Sequence, residues 1–131
     1  MENTKAISSQ DAPVAIGPYS QAVAAGGFLY VSGQLPLVSG SGAMPTDIGE
    51  QTRVSLRNID AIARAANCTL RDVVKLTVFM TDLSEFATVN EVMASTLTAP
   101  YPARCTVEVS ALPKSAQIEI DAVLKLPAQE S

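Results

Sequence analysis

The sequence predicts an α+β sandwich, with helices covering the apolar face of one sheet. Three observations carry this. Strand-like and helix-like stretches follow in the order strands, helix, strand, helix, two strands, as in a sheet with helices laid on one face. The chain has 131 residues, 47% of them apolar, so it can bury roughly two-thirds of its unfolded surface as one domain spanning residues 1–131. No run of about 18 apolar residues occurs, so no membrane span is expected.

Each element has its own signal. A short strand around Gln21–Ala24 and a second over Phe28–Leu35 flank Gly26-Gly27, a two-residue hairpin turn. Within FLYVSGQL, Leu29, Val31 and Leu35 point one way and Tyr30, Ser32 and Gln34 the other. Val38–Pro45 is rich in Gly and Ser and reads as a flexible loop. Asp47–Glu50 resembles an Asp-initiated capping box, and Leu56, Ile59, Ile62, Ala63 and Ala66 follow at helical spacing, predicting a helix from about 48 to 66. Val73–Met80 is a β-branched strand with Val74, Leu76, Val78 and Met80 on one face. Asp82 offers a cap for a second helix carrying Phe86, Val89, Met93 and Leu97, which Pro100 and Pro102 end. Arg104–Ala111 alternates again, Leu112-Pro113-Lys114 breaks it, and Gln117–Leu126 is the last strand. Met1–Asn3 and Ala128–Ser131 read as loose tails.

Composition excludes much chemistry. Histidine is absent, so Ser-His-Asp and Cys-His pairs and His-ligated metals are impossible. General acid–base work falls to Asp, Glu, Lys, Tyr, Cys or backbone groups. Cys68 and Cys105 stand far apart in no Cys-x-x-Cys pair, and the opening MENTKAISSQ has no apolar signal core, so a reducing, cytoplasmic setting is expected. Net charge is −4 and the basic residues are scattered, which argues against a nucleic-acid partner. No metal site is expected.

Among the remaining residues Arg104 is the most informative. It follows the paired prolines of PYPAR, which stiffen its approach, and its planar fork suits a carboxylate. On spacing alone it either binds a carboxylate ligand or pairs with Glu108 or Glu119. Glu119, between Ile118 and Ile120, is either a solvated strand carboxylate or a partly buried one with a raised pKa, able to pass a proton near neutrality. Gly17-Pro18 marks a turn that sets Tyr19 in a fixed place, and Gly33 within a strand signals close approach or a bulge. Alternation assigns Ser32, Arg104, Thr106, Glu108 and Glu119 to the face away from the helices. It sends Cys105 to the apolar face as an inert core cysteine, and Cys68 too reads as structural. A hairpin symmetric about Pro113-Lys114 would set Arg104 opposite Val123, with Glu119 roughly 13 Å along the strand. Joint action on one small molecule then needs a shifted register or a second subunit.

IGPYSQAV, VSGQLP, VVKLTVFMTDLSEFATVN and above all PARCTVEVSALPKSAQIEIDAV resemble the RidA/YjgF family of enamine/imine deaminases, from about Ala15 to Leu126. The resemblance implies a chorismate-mutase-like subunit, related to the ferredoxin-like sandwiches, with one mixed sheet, two helices on one face and homotrimeric assembly. It implies hydrolysis of 2-imino acids, tautomers of 2-aminoacrylate-type enamines, to 2-oxo acids and ammonia in clefts between subunits. The substrate is thus a small imine or enamine carboxylate, and no cofactor is required. By position, Arg104 would grip the carboxylate, Glu119 would orient or activate the water, and Tyr19, Ser32 and Gly33 would line the pocket. The backbone at Cys105 and Thr106 would help hold the substrate nitrogen or the water, with Asn90 also in the binding set. Many members carry a cysteine where this chain has Thr106. Here the segment from Asn90 to Pro102 is short, and Met93, Thr96 and Leu97 replace common aromatics, so this wall bears on substrate preference. Two other functions are described within the family, a stress-related chaperone or regulatory binding protein and an RNA-cleaving translation inhibitor. The scattered charge counts against the latter.

Overall fold

A computed structural model of the chain describes residues 4–128. The expected tails, Met1–Asn3 and most of Ala128–Ser131, fall outside the described residues. Six strands, β1 (Lys5–Ile7), β2 (Ala22–Ala25), β3 (Phe28–Gln34), β4 (Val73–Met80), β5 (Ala103–Glu108) and β6 (Ile118–Lys125), form one sheet in the order β1-β2-β3-β6-β4-β5. Helices α1 (Ile48–Ala65) and α2 (Phe86–Thr96) lie on one face of it. All pairings are antiparallel except β4 with β5, which α2 joins as a parallel crossover. The predicted element order holds. The added strand β1 is three residues at the edge, too short to leave a periodic signal.

Local chemistry explains the boundaries. Gly26 and Gly27 both take positive φ, 60° and 86°, and close the two-residue β2–β3 turn. The Asp47 carboxylate accepts a hydrogen bond from the Glu50 N–H at 3.0 Å, capping α1. Val38–Pro45 is a tight turn tied by Val38 N–H to the Ala43 carbonyl and Gly42 N–H to the Val38 carbonyl. Lys114 and Ser115, both at positive φ, form the break before β6.

The core lies between helices and sheet. Leu56, Ile59 and Ile62 of α1 meet Leu29, Val31, Leu76, Val78, Met80 and the alternating Ile118, Ile120, Ala122 and Leu124 of β6, all buried. Buried Cys68 is structural, as expected. The polar residues of α1 buried beside this stripe tie loops to it. Asn58 donates to the Leu35 and Leu37 carbonyls at 3.2 and 2.9 Å. Gln51 donates to the Pro45 carbonyl and accepts from the Gln117 N–H.

Three face assignments differ from simple alternation. A register shift between Val31 and Gln34 turns Gln34 inward, where it is 5% exposed. A second shift, between Val73 and Lys75, buries Val73 and leaves Val74 exposed. The third concerns β5. Arg104, Thr106 and Glu108 stand in register with buried Leu76, Val78 and Met80, so they occupy the helix side. Cys105 stands beside Thr77 and is exposed on the open face, as is Val107 beside Phe79; Cys105 is not a core cysteine. At an edge strand the helix side is the rim of α2, wet enough for charge, and alternation alone does not say which face a strand turns to the helices.

Candidate active site

The predicted site residues fall into two groups on opposite faces of the sheet. The first lies on α2 and β5. Arg104 Nη1 donates to Asn90 Oδ1 at 2.6 Å and to Met93 Sδ at 3.6 Å, and its guanidinium carbon lies 5.2 Å from the centre of the Phe86 ring. Phe86, Asn90 and Met93 are spaced i, i+4, i+7, so one stripe of α2 grips the guanidinium. Neither Glu108 nor Glu119 pairs with it. Glu108 accepts from the Leu83 N–H at 2.9 Å, and among the described residues Arg104 has no carboxylate partner. Nη1 is its one hydrogen-bonded nitrogen there, which leaves the rest of the fork for a ligand. Beside it opens a cavity of about 430 Å³, walled by Leu76, Met93, Ala94, Leu97, Tyr101 and Pro102 with Asn90 and Arg104. Thr106 Oγ1 is buried without a hydrogen-bond partner on this same helix side.

The second group lies on β3, β6 and the loop before β2, and in it Glu119 stands beside Phe79 on the open face. Gly33 lies against it. A Cβ on residue 33 would come 2.9 Å from the Glu119 Cδ and 3.0 Å from Oε2, so the missing side chain makes room for the carboxylate. Burial pushes the Glu119 carboxyl above its ordinary range, and the Asp121 charge adds to the rise. The Ser32 hydroxyl donates to the Ser20 carbonyl at 2.6 Å and so holds the Gly17–Ser20 turn. That turn needs Gly17, whose φ is 147°, and it presents Tyr19 to solvent, 51% exposed. Gln21, 5% exposed, braces the same loop by donating to the Pro13 carbonyl at 2.8 Å and accepting from the Ser9 N–H at 2.7 Å.

The expected common face for Arg104 and Glu119 is therefore corrected, and so is the hairpin. β6 pairs with β3 and β4, and β5 pairs with β4 alone. Arg104 is in register with Leu76 and Glu119 with Phe79, two strands apart and three residues along. Their Cα atoms are roughly 14 Å apart, on opposite faces. Missing from the sequence reading were Phe86 and Met93 as supports of Arg104, and Ala94, Tyr101 and Pro102 as cavity walls. The sequence spacing of Phe86, Val89, Met93 and Leu97 predicts a packed helix stripe, and within it Phe86 and Met93 look the same as ordinary core residues.

One mixed six-stranded sheet with two helices on a single face defines a chorismate-mutase-like α+β fold. The comparisons give its family. The family model described as Endoribonuclease L-PSP matches residues 9–125. The chain is 50% identical over 121 residues to the RutC family protein y4sK of Sinorhizobium fredii, covering 92% of this chain and 96% of that one. It is 46% identical over 123 residues to the 2-iminobutanoate/2-iminopropanoate deaminase of Escherichia coli K12, covering 92% and 96%. The crystal structure of Escherichia coli TdcF with bound serine aligns with a TM-score of 0.88 at 43% identity, over 94% of this chain and 99% of that one. The chain belongs to the RidA/YjgF family, the same family that the Endoribonuclease L-PSP model describes.

Proposed function

We propose that this protein hydrolyses small 2-imino acids of the 2-aminoacrylate/2-iminopropanoate type to 2-oxo acids and ammonia, in the cytoplasm and as a homotrimer with sites between subunits. The observation that carries the reading is the Arg104 fork, held by α2 at a cavity with no acidic residue in its wall and no protein carboxylate on it. A guanidinium so placed, with most of its fork unpartnered, selects a carboxylate. Relatives at this level of identity carry the deaminase name, and one was crystallised with bound serine, an α-amino carboxylate.

The chemistry suits the residues. Water attacks the imine carbon, its proton passes to the nitrogen, and the carbinolamine collapses to the 2-oxo acid and ammonia. The imine carbon is already electrophilic, so placement and modest proton transfer suffice. Glu119, its pKa raised by burial, takes the proton from water and returns it to the departing nitrogen. Tyr19, with the backbone at Cys105 and Thr106, lines the site. No metal or cofactor takes part.

The separation of about 14 Å and the opposed faces support assembly between copies: the Arg104 group of one subunit meets the Glu119 group of another. The open sheet face supports it too, since Tyr30, Phe28 and Val107 stand exposed there. A net charge of −4 speaks against an RNA or anionic-membrane partner. The test generates 2-iminopropanoate in situ with an amino-acid oxidase and follows its loss. Wild type should accelerate hydrolysis over buffer. Arg104→Ala, folded by circular dichroism, should lose about 10- to 150-fold in kcat/KM, the range for a hydrogen-bonded charge. No acceleration by wild type sinks the reading; full activity in Arg104→Ala sinks the site.

A further inference from the structure

We infer that the cleft between the C-terminal ends of α1 and α2 binds a small soluble phosphate monoester, at a site separate from the Arg104 cavity. The cleft measures about 310 Å³, at the lower end for small-molecule sites. Arg64, from the last turn of α1, and Arg71, from the single turn Leu70–Asp72, line it together with Thr69, Thr96 and Thr98. Asp60 is the acid of its wall, and both its oxygens are engaged. Oδ2 accepts from Arg64 Nε at 2.7 Å and Oδ1 from the Leu70 N–H at 3.1 Å. Arg64 therefore keeps both Nη groups. Among the described residues the Arg71 guanidinium has no ion pair. Its backbone N–H donates to Thr69 Oγ1 at 3.2 Å, which leaves that hydroxyl's own proton to donate.

Arg64 by itself is accounted for by the negative end of the α1 dipole, which a last-turn cation offsets. Arg71 lies outside α1 and has no such role. The α1 carbonyls that would repel an anion are occupied: Ala63 accepts from the Ala66 and Cys68 N–H groups, and Arg64 from the Asn67 N–H. Two guanidinium forks and three hydroxyls thus present donors from both rims of the cleft. A phosphate monoester, with three acceptor oxygens and about two negative charges at neutral pH, takes donors from both rims at once. A carboxylate, planar and singly charged, pairs with one fork. The net charge of −4 repels an anionic bilayer, so the phosphate is that of a soluble molecule. Leu97, where α2 ends, lines this cleft and the Arg104 cavity alike, so the two stand back to back and a test must separate them.

The experiment titrates glycerol 3-phosphate into the full chain and follows backbone amide shifts by NMR. Saturable shifts are expected at Leu70, Arg71, Leu97 and Thr98, with an affinity that falls as salt is raised. Arg71 is exposed, so Arg71→Ala should stay folded. It should weaken binding about tenfold, the low end for a hydrogen bond to a charged group. Thr98→Val, also at an exposed residue, should weaken binding too and serves should the arginine variant not fold. Arg104→Ala should bind as wild type does, and succinate should bind more weakly than glycerol 3-phosphate. Absence of saturable shifts overturns the site. So do shifts that survive Arg71→Ala and Thr98→Val, or that vanish in Arg104→Ala. Succinate binding as tightly as glycerol 3-phosphate overturns the ligand class. Co-sedimentation with phosphatidylcholine–phosphatidic acid vesicles that is lost in Arg71→Ala would place the phosphate on a membrane and overturn the soluble ligand.

Discussion

Arg104 and Glu119 show how neighbours decide what a charged residue does. Arg104 is stacked on Phe86 and hydrogen-bonded to Asn90 without being neutralised, which keeps its charge for a ligand. Glu119 is half-buried with Asp121 nearby, so its carboxyl is held above its ordinary value in the folded state. The sign follows from proton linkage. Between the ordinary value near 4.5 and the raised folded value, the native state binds more protons than the unfolded one, so this group's contribution to stability falls as pH rises through that window. Glu119→Gln removes that dependence. Urea titrations should show the variant equal to wild type at the acid end and gaining relative stability toward neutrality, while imine hydrolysis is lost. A variant that loses relative stability with rising pH would show that burial does not govern this carboxyl. Gly33→Ala tests the contact from the other side. The new methyl must displace the Glu119 carboxylate, the flexible partner in the clash. The protein should stay folded by circular dichroism while kcat/KM falls at least tenfold; unchanged kcat/KM would show that the Glu119 carboxylate need not sit against residue 33.

Elements transmit these placements. Helix α1 anchors the loops on its rim by buried amides as well as by its apolar stripe. Asn58, 2% exposed, serves two carbonyls just beyond β3. Asn58→Ala leaves both without their donor and should cost about 1–3 kcal/mol in a urea titration, with little change in kcat/KM at temperatures where the variant is folded. Helix α2 was legible as a helix from Phe86, Val89 and Met93, yet its use as a cradle for Arg104 was not. That use depends on β5 joining β4 in parallel, which turns Arg104 beneath α2. The β2–β3 hairpin, by contrast, was fully legible, because Gly26-Gly27 determines the turn locally.

At the scale of the whole molecule, the sheet covers one face with helices and leaves the other bare. Val107 is 37% exposed on that bare face. A charge there costs an isolated subunit little, whereas buried between subunits it would be unpaired and expensive. On the proposed trimer, Val107→Asp should therefore leave the α+β fold intact by circular dichroism, give a monomer's mass by light scattering at micromolar concentration, and abolish imine hydrolysis. A variant that stays trimeric and active would place the interface elsewhere.

By itself the sequence determined the element order, the α+β class, the stripe of α1, the inward isoleucines of β6 and the absence of any histidine chemistry, because caps, turns, periodicity and composition are local properties. Its motifs also picked out Arg104 and Glu119. Only the tertiary structure decided that these two stand on opposite faces. Alternation reports which residues share a side of a strand, but not which side meets the helices, nor which strand lies beside which. Inserting β6 between β3 and β4, and adding β5 in parallel at the edge, settles both through long-range pairing. It leaves the chain with two separated groups on opposite faces of one sheet.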